Sequence, residues 1–147
     1  MAIARILNNY AKKQEDSTES PAAKTARSES RKNTIAKLME CIQSLHLQHW
    51  LTRSYAQHQA IGGLYESLEG FLDTYVETLM GAQDRTVLSG INTLSVGGDI
   101  QTLLAKIEVI LREDIPHDVG DDETALLNIR DEALGAVQKT RYLLTLS

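Results

Sequence analysis

HWLTRSYAQHQAIGGLYESLEGFLDTYVETLMG, residues 49–81, is the stretch that decides the fold. Its first residues end one helix, residues 51–53 make a tight corner, and a long second helix follows with Ser54 as its N-cap. Apolar residues recur in this second helix at spacings of three and four, which predicts a face buried in a helical bundle. These residues are Ile61, Leu64, Leu68, Leu72, Tyr75 and Leu79.

A second, polar stripe runs along the same helix. It comprises His58, Glu66, Glu69, Asp73 and Glu77. At 100° per residue its centre lies roughly 135° from the centre of the apolar stripe, so it is expected off the core face. Three interpretations stay open: the stripe binds metal, faces another subunit, or faces water.

The composition fits one helical domain. The chain has 147 residues, of which 42% are hydrophobic but only 5% aromatic, so aliphatic side chains must fill the core. Cys41 is the single cysteine, which excludes an intrachain disulfide, and we expect a buried, inert thiol. No stretch approaches the ~20 apolar residues of a membrane span, and the start lacks a signal-peptide core. We therefore expect a cytoplasmic protein without a membrane partner.

The rest of the chain supplies the other helices of a bundle. We expect helices near 31–51, 54–81, 99–114 and 123–146. Asp99 is a candidate N-cap and Pro116 is expected to end the third helix. A connection of about 17 residues separates the second and third helices, whereas short loops join the members of each pair. The pattern predicts an all-α fold, a ferritin-like four-helix bundle with one long crossover connection, over residues 31–147.

Residues 1–30 form a separate unit, which we interpret as an amphipathic start and a flexible basic arm. Ile3, Ile6, Leu7 and Tyr10 share one side of a short helix that needs a docking surface, on its own body or on a protein partner. Residues 14–30 lack large apolar groups and are interpreted as a flexible linker.

The charge of the chain is uneven. Residues 1–32 hold seven basic and four acidic residues, a balance of +3, which leaves −8 for residues 33–147 out of a net −5. A basic arm on an acidic body is typical of a tail that touches DNA, and a solvated linker is the alternative. The candidate DNA-binding residues are Arg5, Lys12, Lys13, Lys24, Arg27, Arg31 and Lys32.

The chemistry of the chain rests on its histidines and carboxylates. No GxGxxG, P-loop, HExxH or nucleophile-elbow motif is present, and we assign no catalytic residue. Imidazole and carboxylate together suit iron, manganese or zinc. The Glu-x-x-His pairs of di-iron bundles are missing. His49 falls on the apolar face of the first helix, where spacing alone favours a packed core histidine.

Three features lie within about residues 45–81: HW stands before a corner, a histidine follows early in the second helix, and LDTYVE comes fifteen residues after that histidine. This pattern resembles Dps-type mini-ferritins. The resemblance implies a homo-oligomer that binds iron between subunits and oxidises it, the ferroxidase activity, and that associates with DNA. It also implies the metal ligands. His49 and His58 would come from one subunit, and Asp73 and Glu77 from another.

The chain also departs from that pattern. The corner is three residues shorter, and Gly62 stands where the family has an acid, a place that Glu66 or Glu69 could fill. Two stretches carry a second resemblance, HWLTRSYAQHQAIGGLYE at residues 49–66 and NIRDE at residues 128–132. They equally resemble uncharacterised ferritin-like proteins of tailed bacteriophages. That second resemblance implies a phage protein in the host cytoplasm or the virion. The alternative function is therefore a structural or adaptor protein that keeps the bundle with a decayed metal site.

Overall fold

The structure is a computed structural model that describes residues 20–82, residue 91 and residues 95–147. Its helices are α1 (Pro21–Leu51), α2 (Tyr55–Ala82), α3 (Ile100–Val109), α4 (Ile115–Val119) and α5 (Thr124–Leu144). A π-helical turn, Ile110–Asp114, joins α3 to α4 without a break, so that the two form one rod. The described residues contain no strand, and the expected all-α four-helix bundle is confirmed.

Neighbouring rods of the bundle are antiparallel. α1 packs on α2 and on the α3–α4 rod, and α5 packs on the same two, so that α2 and α3 lie diagonally across the core. Gln48 near the end of α1 donates to the carbonyl of Gly98 before α3 (2.7 Å), whereas Lys37 reaches Asp114 at the far end of that rod (2.8 Å). α2 therefore ends at one end of the bundle and α3 begins at the other, which is the arrangement of a bundle with a single long crossover.

The apolar stripes of the sequence form the core. Leu38, Leu45, Leu68, Leu79 and Leu104 are completely inaccessible to solvent. Asp99 caps α3 as expected, because its Oδ1 accepts from the backbone N–H groups of residues 101 and 102 at 3.1 Å. Glycines at residues 62 and 63 do not interrupt α2. None of the described helices has a stretch long and apolar enough to cross a membrane.

The first helix starts earlier than expected, at Pro21 instead of Arg31. The Ser20 hydroxyl accepts from the Ala23 N–H at 3.2 Å, and Pro21 takes the first helical position, where its missing N–H costs nothing. The linker interpretation is therefore wrong for residues 21–30, which are helical and mostly exposed. Residues 1–19 lie outside the described residues.

The third helix does not end at Pro116, contrary to the expectation from the sequence. The π-helical turn shifts the hydrogen-bond register, and the Ile115 N–H donates to the Ile110 carbonyl five residues back. This shift lets the rod continue past a proline that lacks an N–H. It ends only at Gly120, whose φ of 82° closes it. The extra turn adds Ile115 and Val119 to the core.

Candidate functional site

Two histidines face each other across the corner between α1 and α2. Nδ1 of His49 lies 2.9 Å from the carbonyl oxygen of His58, and Nδ1 of His58 lies 2.9 Å from the carbonyl oxygen of His49. A carbonyl only accepts, so both Nδ1 atoms carry a proton, and in the neutral imidazole Nε2 then presents a lone pair. Neither Nε2 has a hydrogen-bond partner in the described part of the chain, and neither is buried, so solvent reaches both.

The corner is built to hold this pair. Ser54 caps α2 as expected, accepting from the Gln57 N–H at 3.3 Å, and Thr52 donates to the Gln57 side chain at 2.9 Å. The two imidazole rings stack with centroids 3.7 Å apart and planes 24° apart. Metal-binding histidines commonly donate their second nitrogen to a carbonyl, which fixes tautomer and orientation as it does here.

An aromatic group supports the histidine pair from α1 and α2. His46 stacks on Tyr65 (4.4 Å, 16°) and also lies against Trp50 (4.3 Å). The edge of Tyr65 meets His49 at 5.3 Å. His46 and His49 are both half-buried.

Gly62 provides the space for His49. A Cβ at this position would lie 3.0 Å from Cε1 and 3.1 Å from Nδ1 of the His49 ring. An acid at residue 62 would therefore collide with the ring in its present position. The glycine at residue 62, which departs from the mini-ferritin pattern, thus leaves the space that the stacked histidine pair needs.

The candidate acids lie elsewhere on α2. Asp73 and Glu77 are both exposed, as are Glu66 and Glu69. At 1.5 Å per residue, Asp73 lies about 22 Å along the helix from His58. Within one chain the structure thus brings His49 and His58 together and leaves Asp73 and Glu77 apart from them. Over residues 20–82, 91 and 95–147, no three His, Cys, Asp or Glu side chains gather closely enough to hold a metal ion.

The basic candidates for DNA binding divide into two groups. Arg5, Lys12 and Lys13, like the apolar Ile3, Ile6, Leu7 and Tyr10, lie outside the described residues. The others are on α1. Lys24 and Arg27 are exposed on its helical extension, whereas Arg31 donates to the Asp118 carbonyl (3.1 Å) and Lys32 pairs with Glu29 (2.8 Å). Association with DNA through the arm stays a prediction.

A polar contact missed by the sequence analysis joins α4 to α1. The Asp118 carboxylate is completely buried and accepts from the hydroxyls of Ser30 and Thr34, each at 2.6 Å. It was missed because Pro116 was expected to end the helix, which would have left Asp118 in a loop. His117 beside it is helical and exposed.

Cys41 has the character expected of an inert thiol. It is 1% exposed. Burial raises the pKa of the Cys41 thiol to about 11, while Lys106 lowers it and Glu40 raises it to smaller extents. A thiol with so high a pKa is a poor nucleophile and a poor metal ligand at neutral pH.

The fold and site define a helical bundle of the four-helix class, with a histidine pair at the α1–α2 corner and acids on the outer face of α2. The chain belongs to a family described as a family of unknown function, DUF5856, whose sequence profile matches residues 49–144. The match begins at His49 and includes both histidines, both acids and the crossover. No curated protein and no solved structure matches the chain.

Proposed function

We propose that this chain is a ferritin-like subunit that self-associates and binds iron between subunits. His49 and His58 of one subunit would supply Nε2 ligands, and Asp73 and Glu77 of a second subunit would supply carboxylates. Bound Fe(II) would be the substrate and electron donor, and oxygen or peroxide the acceptor. The observation that carries the proposal is the histidine pair, whose Nδ1 protons are fixed on carbonyls and whose Nε2 lone pairs solvent can reach.

The outer face of α2 suits self-association. In an antiparallel pair of α2 helices related by a two-fold axis near residues 65 and 66, His58 of one copy would lie opposite Asp73 of the other. The acidic half of each helix then meets the half that carries no acid. Glu69, Asp73 and Glu77 of one copy are thus kept away from the same acids of the other, which limits repulsion between like charges.

The alternative function, a structural or adaptor protein whose interface holds no metal, is favoured by one observation. Gly62 stands where the resemblance places a further acid, and the His49 ring fills the adjacent space. A site without that acid has one ligand fewer with which to hold two ions. The proposal and this alternative predict opposite results for metal binding.

Anaerobic binding of Fe(II) to the full chain tests the proposal. We expect Asp73→Asn with Glu77→Gln to weaken binding by roughly tenfold or more, the scale seen when groups that support a metal site are removed. His49→Ala with His58→Ala should do the same. Glu132→Gln, an exposed acid on α5, is the matched control and should bind as the unaltered chain does.

Mixing the two double variants distinguishes a shared site from a local one. A histidine variant keeps its acids and an acid variant keeps its histidines, so a mixed pair contains one complete site. We expect the mixture to recover up to half of the original binding capacity. Equal Fe(II) binding by the unaltered chain and both double variants would contradict the proposal and support the structural alternative.

A further inference from the structure

Exposed large hydrophobic side chains gather at one end of the bundle. Seven such residues occur among those described, and five of them belong to the α1–α2 corner or to the C-terminal end of α5. A hydrogen bond from Gln57 to Ser147 (3.4 Å) ties these two parts together. We name this surface the apolar end. It consists of Trp50, Leu51, Tyr55, Tyr142 and Leu146, with exposures of 67%, 62%, 77%, 62% and 64%.

The apolar end has the composition of a protein contact. Large exposed hydrophobic groups that lie together mark interaction sites on proteins, and Trp and Tyr contribute most to the energy of such contacts. By contrast, the end of the bundle where α1 begins shows no exposed large hydrophobic residue among residues 20–34, 76–82 and 115–126. Among the described residues, the apolar surface therefore lies at one end only.

We propose that the apolar end of one copy of this chain receives the amphipathic N-terminal segment, residues 3–10, of a second copy. The segment carries Ile3, Ile6, Leu7 and Tyr10 at spacings that form one apolar face of a helix. A helix this short needs a surface to dock on. The apolar end supplies the complementary face.

Chain length argues for a second copy. Residues 20–50 span about 45 Å along α1, so the segment enters α1 at the end opposite to the apolar end. The ten residues from Tyr10 to Ser20 reach at most about 35 Å when fully extended. On its own chain the segment would need a fully extended linker, and the backbone of Tyr10 would still stop about 10 Å short of residue 50. A neighbour placed head to tail brings the apolar end close to the segment without this extension.

Such a contact joins two different surfaces, so it forms rings when the rotation between copies closes and filaments when it does not. It uses neither the histidine pair nor Asp73 and Glu77. The outcome of the iron experiments therefore does not decide it.

Trp50 reports on the contact, because it is the only tryptophan of the chain and lies in the apolar end. Ile6→Ser with Leu7→Ser in the full chain should lower the mass in sedimentation and shift Trp50 emission to longer wavelength, since the indole becomes hydrated. Asn8→Ser with Asn9→Ser is the matched control and should change neither. Circular dichroism checks that every variant keeps its helices.

Complementation establishes the head-to-tail direction. Leu51→Ser with Tyr55→Ser damages the receiving surface but keeps the segment, whereas the variant altered at Ile6 and Leu7 keeps the receiving surface. Each should lose the contact alone, and an equimolar mixture should regain it, with a mass above that of either variant alone. A mixture that stays at the mass of its components overturns the proposal. A shift of Trp50 emission without any change of mass also overturns it, because the segment would then lie on its own chain.

Discussion

At the scale of single residues, the corner between α1 and α2 depends on one absent side chain. Gly62 lies within a helix, where glycine costs roughly 1 kcal/mol relative to alanine. The cost is offset by the His49 ring, which occupies the space of the missing Cβ and stacks on His58. At Gly63, next to it, an added Cβ would have no neighbour within 4 Å, so no contact depends on the absence of a side chain there.

This difference predicts opposite behaviour of neighbouring glycines. Gly63→Ala should raise the free energy of unfolding by about 0.5–1 kcal/mol, because it gains helix propensity without a contact. Gly62→Ala should gain nothing or lose stability, because the new Cβ displaces a ring held by two reciprocal hydrogen bonds. Urea unfolding of both variants measures the difference. Equal stabilisation would show that the His49 ring moves at no cost.

At the scale of helices, most boundaries could be predicted from the sequence, and the exceptions have local causes. The periodic stripes and the caps Ser54 and Asp99 located α2 and the start of α3. Ser20–Pro21 is a strong helix start that the polar composition after it concealed. Proline ordinarily ends a helix. Here a π-helical turn accommodates Pro116, and the pattern of apolar residues in the sequence does not reveal such a turn.

The candidate site, too, could be predicted from the sequence only in part. The sequence predicts that His49 and His58 lie near the corner, because residues on both sides of a short turn must be close. It does not predict their stacking, which depends on the space above Gly62, nor any contact that a second subunit would make. The Asp118 contact was also beyond reach, since it depends on the continuation of the helix past Pro116.

Asp118 fastens one helix to another, and its loss should be costly. Asp118→Ala removes the acceptor of the part-buried Ser30 hydroxyl and leaves the buried Thr34 hydroxyl with only the Ser30 carbonyl, at 3.1 Å. Hydrogen bonds to charged groups contribute about 1.5–3 kcal/mol, so we expect a loss of about that size in the free energy of unfolding. Asp121→Ala, at an exposed position just beyond the end of α4, should change it by less than about 0.5 kcal/mol. A loss as small as that of the control would mean that the two hydroxyl contacts of the Asp118 carboxylate do not help to hold α4 on α1.

At the scale of the whole molecule, the side chains that stabilise the fold lie apart from those that are candidates for binding. The core is aliphatic and closed, with Cys41 and Tyr75 inside it, whereas the histidine pair, the α2 acids and the apolar end lie on its outside. Burial raises the pKa of Tyr75 as well as that of Cys41. Both groups are neutral in the folded protein and ionise more easily when unfolded.

Ionisation of the Cys41 thiol therefore makes the stability of the fold depend on pH in the alkaline range. Because the folded Cys41 pKa, about 11, exceeds the ordinary value of 9.0, the native state holds this proton more tightly than the unfolded state. The corresponding stability is complete below about pH 9 and is lost as pH rises toward 11. Urea unfolding of the unaltered chain and of Cys41→Ala between about pH 8 and pH 10 measures the effect. We expect a shallower decline in the variant, because one titrating group is gone, whatever the cavity costs at every pH. Parallel declines would show that the thiol ionises equally in both states, and hence that solvent reaches Cys41 in the folded bundle.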